Sequence, residues 1–223
     1  MSEARDDILG RLRRRLGRDV LDPERAGELE TELLRHERRL IPARADVSGE
    51  DCVRLFEEMV EVSLASVERT DANATLPRTV AAYLDARQLP RELVIPPENG
   101  WSDLDWERAG IRVQARHVRS GDVAALAPAF CGVAETGTLV FLSGARHQTL
   151  SSFLPDHHLA VLSKRDLVGS YEDAWDRIRA RGEDMPRTVN WVTGPSRSAD
   201  IELTMLMGAH GPLSLHVIII ENR

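Results

Sequence analysis

The residues best suited to chemistry are concentrated in segment 194–202, which reads GPSRSADIE between two apolar runs. The Arg197 guanidinium offers a fork of donors that suits a carboxylate or a phosphate. If a strand ends just before this segment and a helix follows it, free backbone N–H groups favour the same anion, because ligands of open α/β sheets collect beyond the carboxyl ends of strands. A Gly-Pro turn before a capped helix is the structural alternative. The anion-binding candidates are Gly194, Pro195, Ser196, Arg197, Ser198, Asp200 and Glu202.

Two further polar segments have the same mixed character. In 134–138 (AETGT), a buried Glu135 could act as base, acid or nucleophile, whereas an exposed one would only cap the turn at Gly137. In 208–212 (GAHGP), the flanking glycines would let His210 face a ligand, unless this histidine only closes a tight turn. We expect Glu135 and His210 to be catalytic, and the substrate-binding candidates to include Thr136, Gly137, Thr138 and Gly211.

Other sites are disfavoured. Segment 194–198 half-matches a nucleophile elbow, but Ser198 stands where the second glycine is needed, so no hydrolase triad is expected. The adjacent residues His157 and His158 would point to opposite faces of a strand, so no metal site is expected. Neither a Walker loop nor a Gly-x-Gly-x-x-Gly fingerprint occurs.

Composition narrows the function classes. The net charge of −7 argues against a nucleic-acid partner. The cysteines Cys52 and Cys131 predict neither a disulfide framework nor an iron–sulfur cluster, which takes about four cysteine ligands. No apolar run reaches the ~18 residues of a membrane span, and no targeting segment is evident, so we expect a cytoplasmic protein.

The pattern of apolar residues changes near residue 92. Before it, helical spacing and start signals at Asp22-Pro23 and Ser48 predict three helices, and a fourth is predicted over 76–88. After it, apolar runs alternate with helices, the clearest starting at Ser170. This order predicts an α/β fold with a mainly parallel sheet and helices on both faces. The predicted strands are 93–95, 111–113, 139–142, 159–162, 189–192 and 215–220.

Taken together, the three polar segments resemble the signature of the LUD domain family, although the family usually has threonine where Ser198 stands. The resemblance covers residues 76–223 and implies a fold akin to ribose-5-phosphate isomerase and the CoA transferases. Residues 1–75 are then expected to be a helical N-terminal extension of the LUD α/β domain.

The resemblance also implies a role in a bacterial system of three proteins that oxidises L-lactate to pyruvate. This chain would be the subunit without clusters and without a cofactor, and partner proteins would carry the iron–sulfur clusters. Arg197 would hold a small carboxylate while Glu135 or His210 moves a proton.

Two other functions stay open. One is a stand-alone isomerase or CoA-transferase type of enzyme, with Glu135 as base or nucleophile on a phosphorylated or CoA-linked substrate. The other is a scaffold whose site has decayed. Local folding does not require Arg197, Asp200, Glu202 and His210 together, which argues modestly against decay.

Overall fold

The computed structural model describes residues 3–17, 21–38, 40–97, 100–144, 147–199, 205–208 and 210–222. The chain divides into two units, residues 1–40 and 41–223. The first unit contains two helices, α1 (Glu3–Leu16) and α2 (Pro23–Arg35). The start of α2 follows the sequence signal, because the Asp22 side chain accepts a hydrogen bond from the Arg25 backbone N–H at 2.9 Å. In the described residues, no helix is both long and apolar enough to cross a lipid bilayer.

The second unit is an α/β fold with one six-stranded parallel sheet and two smaller sheets. Its helices are α3 (Gly49–Val62), α4 (Leu76–Ala86) and α5 (Tyr171–Arg179). Its strands are β1 (Ser66–Thr70), β2 (Glu92–Ile95), β3 (Arg112–Ala115), β4 (Ala124–Pro128), β5 (Cys131–Val133), β6 (Thr138–Leu142), β7 (His157–Ser163), β8 (Leu167–Val168), β9 (Val189–Val192), β10 (Arg197–Ala199), β11 (Met205–Met207) and β12 (Ser214–Ile220).

The parallel sheet has the order β1-β12-β7-β4-β2-β3, so β12 lies between β1 and β7. One face packs against α4 through Val80 and Leu84. The opposite face packs against Phe56 of α3 and Phe141 of β6. The prediction of a mainly parallel sheet covered on both faces is therefore confirmed, and it explains why β12 is almost continuously apolar.

A second sheet, with the order β8-β5-β6-β9, contains two strands that the sequence pattern had assigned to the parallel sheet. Both β5–β6 and β6–β9 pair antiparallel, so placing 139–142 and 189–192 in the parallel sheet was wrong. The reason is the tight turn at Gly137, where φ is 65° and the chain reverses between β5 and β6. The α5 residues Ala174 and Ile178 pack on this sheet.

The third helix also ends earlier than its apolar spacing predicted. Leu64 has a φ of 66°, and the Ala65 backbone N–H reaches back to the Val60 carbonyl at 3.1 Å, as in helix ends that close on a left-handed residue. Val67 therefore lies in β1, which pairs with β12, and not on α3. Residues 41–75 belong to the second unit. The expected extension, by contrast, comprised residues 1–75.

Candidate functional site

Four hydroxyl groups form a cluster where β6 begins and β9 ends. Thr138 Oγ1 lies 2.6 Å from Thr193 Oγ1 and 2.7 Å from Thr136 Oγ1. The Tyr171 hydroxyl is 2.9 Å from Thr138 Oγ1 and 3.1 Å from Thr136 Oγ1. The antiparallel pairing of β6 with β9 brings these residues together. Segment 134–138 therefore meets the start of segment 194–202.

Segment 194–202 in turn meets segment 208–212 through the backbone of Ser196. The Ser196 N–H donates to the Pro212 carbonyl at 2.9 Å, and the Gly208 N–H donates to the Ser196 carbonyl at 3.0 Å. A methyl group added at Gly211 would lie 3.2 Å from the Ser196 Cβ, so these segments are in close contact. All three polar segments that the sequence singled out are thus joined in one chain of contacts.

The last turn of α3 packs under two glycines of this site. A Cβ added to Gly137 would lie 2.5 Å from the Val60 backbone nitrogen. A Cβ added to Gly194, where φ is 71°, would collide with the Ser63 carbonyl oxygen. Both positions therefore require glycine for space as well as for backbone conformation.

The Glu135 side chain is buried, with 5% of its surface exposed. Its Oε1 accepts a hydrogen bond from the Tyr171 backbone N–H at 3.4 Å, at the first turn of α5. Its own backbone N–H donates to the Gly169 carbonyl at 3.1 Å. The carboxylate is therefore buried, and its one hydrogen bond among the described residues comes from Tyr171, whose hydroxyl belongs to the cluster.

The remaining predicted residues divide by exposure. Gly194 and Pro195 are buried and Ser196 is half-buried, whereas Arg197 and His210 are exposed. Ser198 lies in β10 by its backbone, but its side chain falls outside the described residues. Asp200 and Glu202 also lie outside them. Arg197 and His210 are thus open to a ligand in solution.

The expectation of a helix after Gly194 was wrong. Residues 197–199 form β10, which pairs antiparallel with β11. The backbone bonds of Ser196 explain the difference, because they hold the chain extended against segment 208–212. The segment that was expected to bind an anion at a helix N-terminus therefore forms a loop and a strand.

The site also lies at the amino edge of the parallel sheet, not at its carboxyl edge as we expected. Segment 208–212 leads directly into β12, and the end of α3 at Ser63 leads into β1. Segment 194–202 does follow the carboxyl end of β9. However, β9 belongs to the smaller, mixed sheet, and Gly194 just beyond its carboxyl end lies against Ser63 at the amino edge of the larger sheet.

The carboxyl edge of the parallel sheet carries an ion-pair network. Lys164 Nζ lies 2.8 Å from Glu50 Oε2 and 2.7 Å from Glu221 Oε2, and Arg69 Nε lies 2.6 Å from Glu57 Oε1. Hydrogen bonds from Lys164 and then Arg69 lower the pKa of Glu50 to about 2. The single lysine of the chain is therefore an ion-pair partner, and its carboxylate neighbours raise its pKa.

Sequence reasoning missed a second polar cluster at the amino edge, centred on Tyr83 of α4. The Tyr83 hydroxyl lies 2.9 Å from His157 Nδ1 and 3.0 Å from Ser214 Oγ, and its ring stacks on His216 at 4.4 Å. Ser66 Oγ lies 2.8 Å from His216 Nδ1. No motif spacing in the sequence indicates this cluster. Its members come from four elements, α4, β1, β7 and β12, which meet only in the folded sheet.

Two further histidines lie in the interior beside Phe141. The Phe141 ring lies 4.8 Å from the His147 ring and 5.2 Å from the His158 ring. Burial lowers the pKa of His147 to about 4, and burial with the nearby His147 lowers that of His158 to about 3. These imidazoles are neutral at pH 7. Among the described residues, no group of three or more His, Cys, Asp or Glu side chains is arranged to hold a metal ion.

Comparison with known proteins identifies similar chains. The family model of the LUD domain matches residues 101–220, a range that contains all three polar segments. Lactate utilization protein C of Halalkalibacterium halodurans is 37% identical over 94 residues, 41% of each chain. The Bacillus subtilis protein of the same name is 37% identical over 94 residues, which span 39% of its length. That of Shouchella clausii is 27% identical over 240 residues and aligns over 100% of both chains.

One solved structure shares the fold. It is the 1.70 Å crystal structure of a DUF162 family protein from Deinococcus radiodurans, with a TM-score of 0.60 and 22% sequence identity. The match covers 78% of the present chain and 99% of that protein. At this identity the likeness supports the α/β architecture and carries no statement about activity.

Proposed function

The chain belongs to the LUD domain family, and from that premise we propose that it serves in lactate utilisation. More specifically, we propose a subunit without iron–sulfur clusters in a bacterial L-lactate-oxidising system. Its site, at the loops that carry Glu135, Arg197 and His210, binds a small carboxylate. The names of the relatives from three bacteria support the general role.

The observation that carries the site is the continuity of its three segments. Thr138 contacts Thr193, and Ser196 three residues later bonds to Pro212 and Gly208. Segments that lie far apart in sequence, each rich in polar side chains, are therefore joined by a continuous chain of contacts. Polar loops that served only as turns would have no reason to be brought together in this way.

The side chains suit a small carboxylate. Arg197 is exposed and presents a guanidinium, which binds a carboxylate through two parallel hydrogen bonds. Oxidation of lactate to pyruvate removes two electrons and two protons, from the hydroxyl and from the carbon that bears it. The Glu135 carboxylate or the His210 imidazole takes the hydroxyl proton, the C–H bond breaks as the C=O bond forms, and the second proton passes to the solvent.

The two electrons leave to iron–sulfur partner proteins. The cysteines of this chain do not fit a cluster, because there are two of them and both are buried. Burial also raises the pKa of the Cys131 thiol to about 12, which disfavours the thiolate that a metal needs.

A thermal-shift experiment with L-lactate and pyruvate tests this proposal. A ligand that binds the folded state raises the melting temperature by mass action. We expect a shift that is lost in Arg197→Ala and retained in Arg78→Ala, an exposed arginine on α4 that serves as the matched control. A shift that survives Arg197→Ala would remove Arg197 from the site, and no shift with either acid would contradict binding by this chain alone.

The buried carboxylate of Glu135 favours a second candidate function, a stand-alone isomerase or CoA-transferase type of enzyme. In the transferase reaction a Glu135 oxygen attacks the thioester carbonyl of an acyl-CoA. The new acyl–oxygen bond forms as the carbon–sulfur bond breaks and the CoA thiolate leaves. An acyl adduct found by mass spectrometry in the wild type, and lost in Glu135→Gln, would support it. Shifts with sugar phosphates and no adduct would favour an isomerase.

A further inference from the structure

The two N-terminal helices expose their apolar residues. On α1, Ile8, Leu12 and Leu16 recur every four residues and are 58%, 50% and 63% exposed. On α2, which has no buried residue, Leu33 and Leu34 are 74% and 71% exposed. Residues four apart lie on one face of a helix, so α1 carries an apolar stripe and α2 an apolar patch, and both are exposed among the residues that the structure describes.

Helices as short as α1 and α2 are stable in water only when their apolar face packs against another apolar surface. The α1 helix has 14 residues and α2 has 13, and isolated helices of about that size are only marginally stable in water. The stability of both helices therefore depends on an apolar partner that covers the exposed leucines.

The charges of the two helices are opposite. The α1 sequence EARDDILGRLRRRL holds five arginines and three acids, whereas PERAGELETELLR of α2 holds four glutamates and two arginines. At 100° per residue, Arg13 and Arg15 flank the α1 stripe, and Glu30 projects between Leu33 and Leu34. An apolar face with positive edges is thus matched by one that contains a negative charge.

We propose that these helices bind a second copy of this chain, with α1 of each copy packed against α2 of the other in a four-helix bundle. An interface around a two-fold axis uses the same surface on both copies, so that surface must be complementary to itself. One apolar helix with net positive charge and one with net negative charge meet this requirement. To bind a different protein, the chain would not need helices of both charge signs. The proposal does not depend on the function of the α/β domain.

Light scattering after size-exclusion chromatography tests the proposal on the full chain. We expect a mass of about 50 kDa, twice the 24.9 kDa of one chain, at micromolar concentration. The double variant Leu33→Glu/Leu34→Glu should elute at the mass of one chain. Met185→Glu, at a residue 55% exposed in the α/β domain, should leave the dimer unchanged. The thermal transition of the α/β domain, measured for each variant, checks that it stays folded.

A second variant tests the charge complementarity without touching a leucine. Arg13→Glu/Arg15→Glu places like charges against Glu30 in both halves of the bundle, and should weaken the dimer about tenfold or more at low salt. A wild-type chain that is monomeric at all concentrations, or that assembles only with another protein, would overturn the proposal. So would a dimer that survives both double variants.

Discussion

The hydroxyl oxygens of Thr138 and Thr193 lie 2.6 Å apart, and this contact joins two segments that are 55 residues apart in sequence. Thr138 is fully buried and also bonds Thr136 and Tyr171, so its hydroxyl is the centre of the cluster. Thr136, which follows the catalytic candidate Glu135, and Thr193, which precedes the Ser196 loop, are therefore both bonded to the same hydroxyl. Stability measurements at Thr138 should report on the assembly of the site.

Thr138→Val keeps the shape of the side chain and removes its hydroxyl. The three partner hydroxyls then lose a buried contact, and we expect the free energy of unfolding to fall by about 1 to 3 kcal/mol. Urea denaturation measures the change. Thr149→Val, which removes a similar 2.9 Å hydroxyl pair with Thr188 at the surface, should cost about 0.5 kcal/mol or less. Equal losses in the two variants would contradict the central place of Thr138.

Gly137→Ala tests the packing of the site on α3. The added methyl must sit at a φ of 65° and 2.5 Å from the Val60 nitrogen, so we expect a loss of about 2 to 4 kcal/mol. Gly182→Ala is the matched control, because Gly182 has a φ of 66° and nothing within 4 Å of the added methyl. It should lose only about 1 kcal/mol. The comparison separates backbone strain from collision with α3.

Glu135→Gln tests the proposed chemistry, and we expect it to leave the fold intact and to abolish turnover. The glutamine side-chain oxygen can still accept the Tyr171 N–H, while the carboxylate that we propose as proton acceptor or nucleophile is gone. Lactate oxidation by the chain together with the proposed iron–sulfur proteins, and a melting curve, measure both effects. Unchanged turnover at an unchanged melting temperature would remove Glu135 from the chemistry.

Because of its buried histidines, the protein should become less stable as the pH falls. An unfolded chain titrates its imidazoles near the ordinary pKa of 6.5, whereas burial lowers the pKa to about 4 for His147 and His216 and to about 3 for His158. Below pH 6.5 the unfolded state therefore binds more protons, so the free energy of unfolding decreases as the pH falls towards 4. Urea midpoints measured between pH 7 and 4 should follow this slope.

His158→Leu should flatten that slope, because it removes one of the groups that binds a proton only on unfolding. Carboxylates such as Glu50, with a pKa lowered to about 2, act mainly below pH 4.5 and are common to both proteins. An unchanged slope in His158→Leu would contradict the neutral, buried state of this imidazole.

Much of the fold follows from local patterns. The Ser170 hydroxyl accepts from the Asp173 N–H and Asp173 bonds back, as the capping box at the start of α5 requires. Ser48 starts α3 as predicted, although its side chain makes no capping hydrogen bond. The strand β4 escaped prediction because AALAP has low β-propensity, and burial in the sheet overrides that preference.

The residues of the candidate site could be singled out from the sequence, but their position in the fold could not. Residue types identified all three polar segments, and the structure joins them. Nothing local in 139–142 or 189–192 indicates which sheet each strand joins, since antiparallel pairing depends on partners far along the chain. The position at the amino edge, and the Tyr83 cluster beside it, follow from that long-range pairing alone.

The place of β12 between β1 and β7 bears on how the protein is made. Ribosomes add residues one at a time from the N-terminus, so β1 and β7 leave the ribosome well before their shared neighbour. Until Ile220 has emerged, the facing edges of both strands have no partner in the sheet, and such edges invite pairing with other chains. The nascent chain is therefore most exposed to aggregation just before β12 emerges, when a chaperone would protect it best.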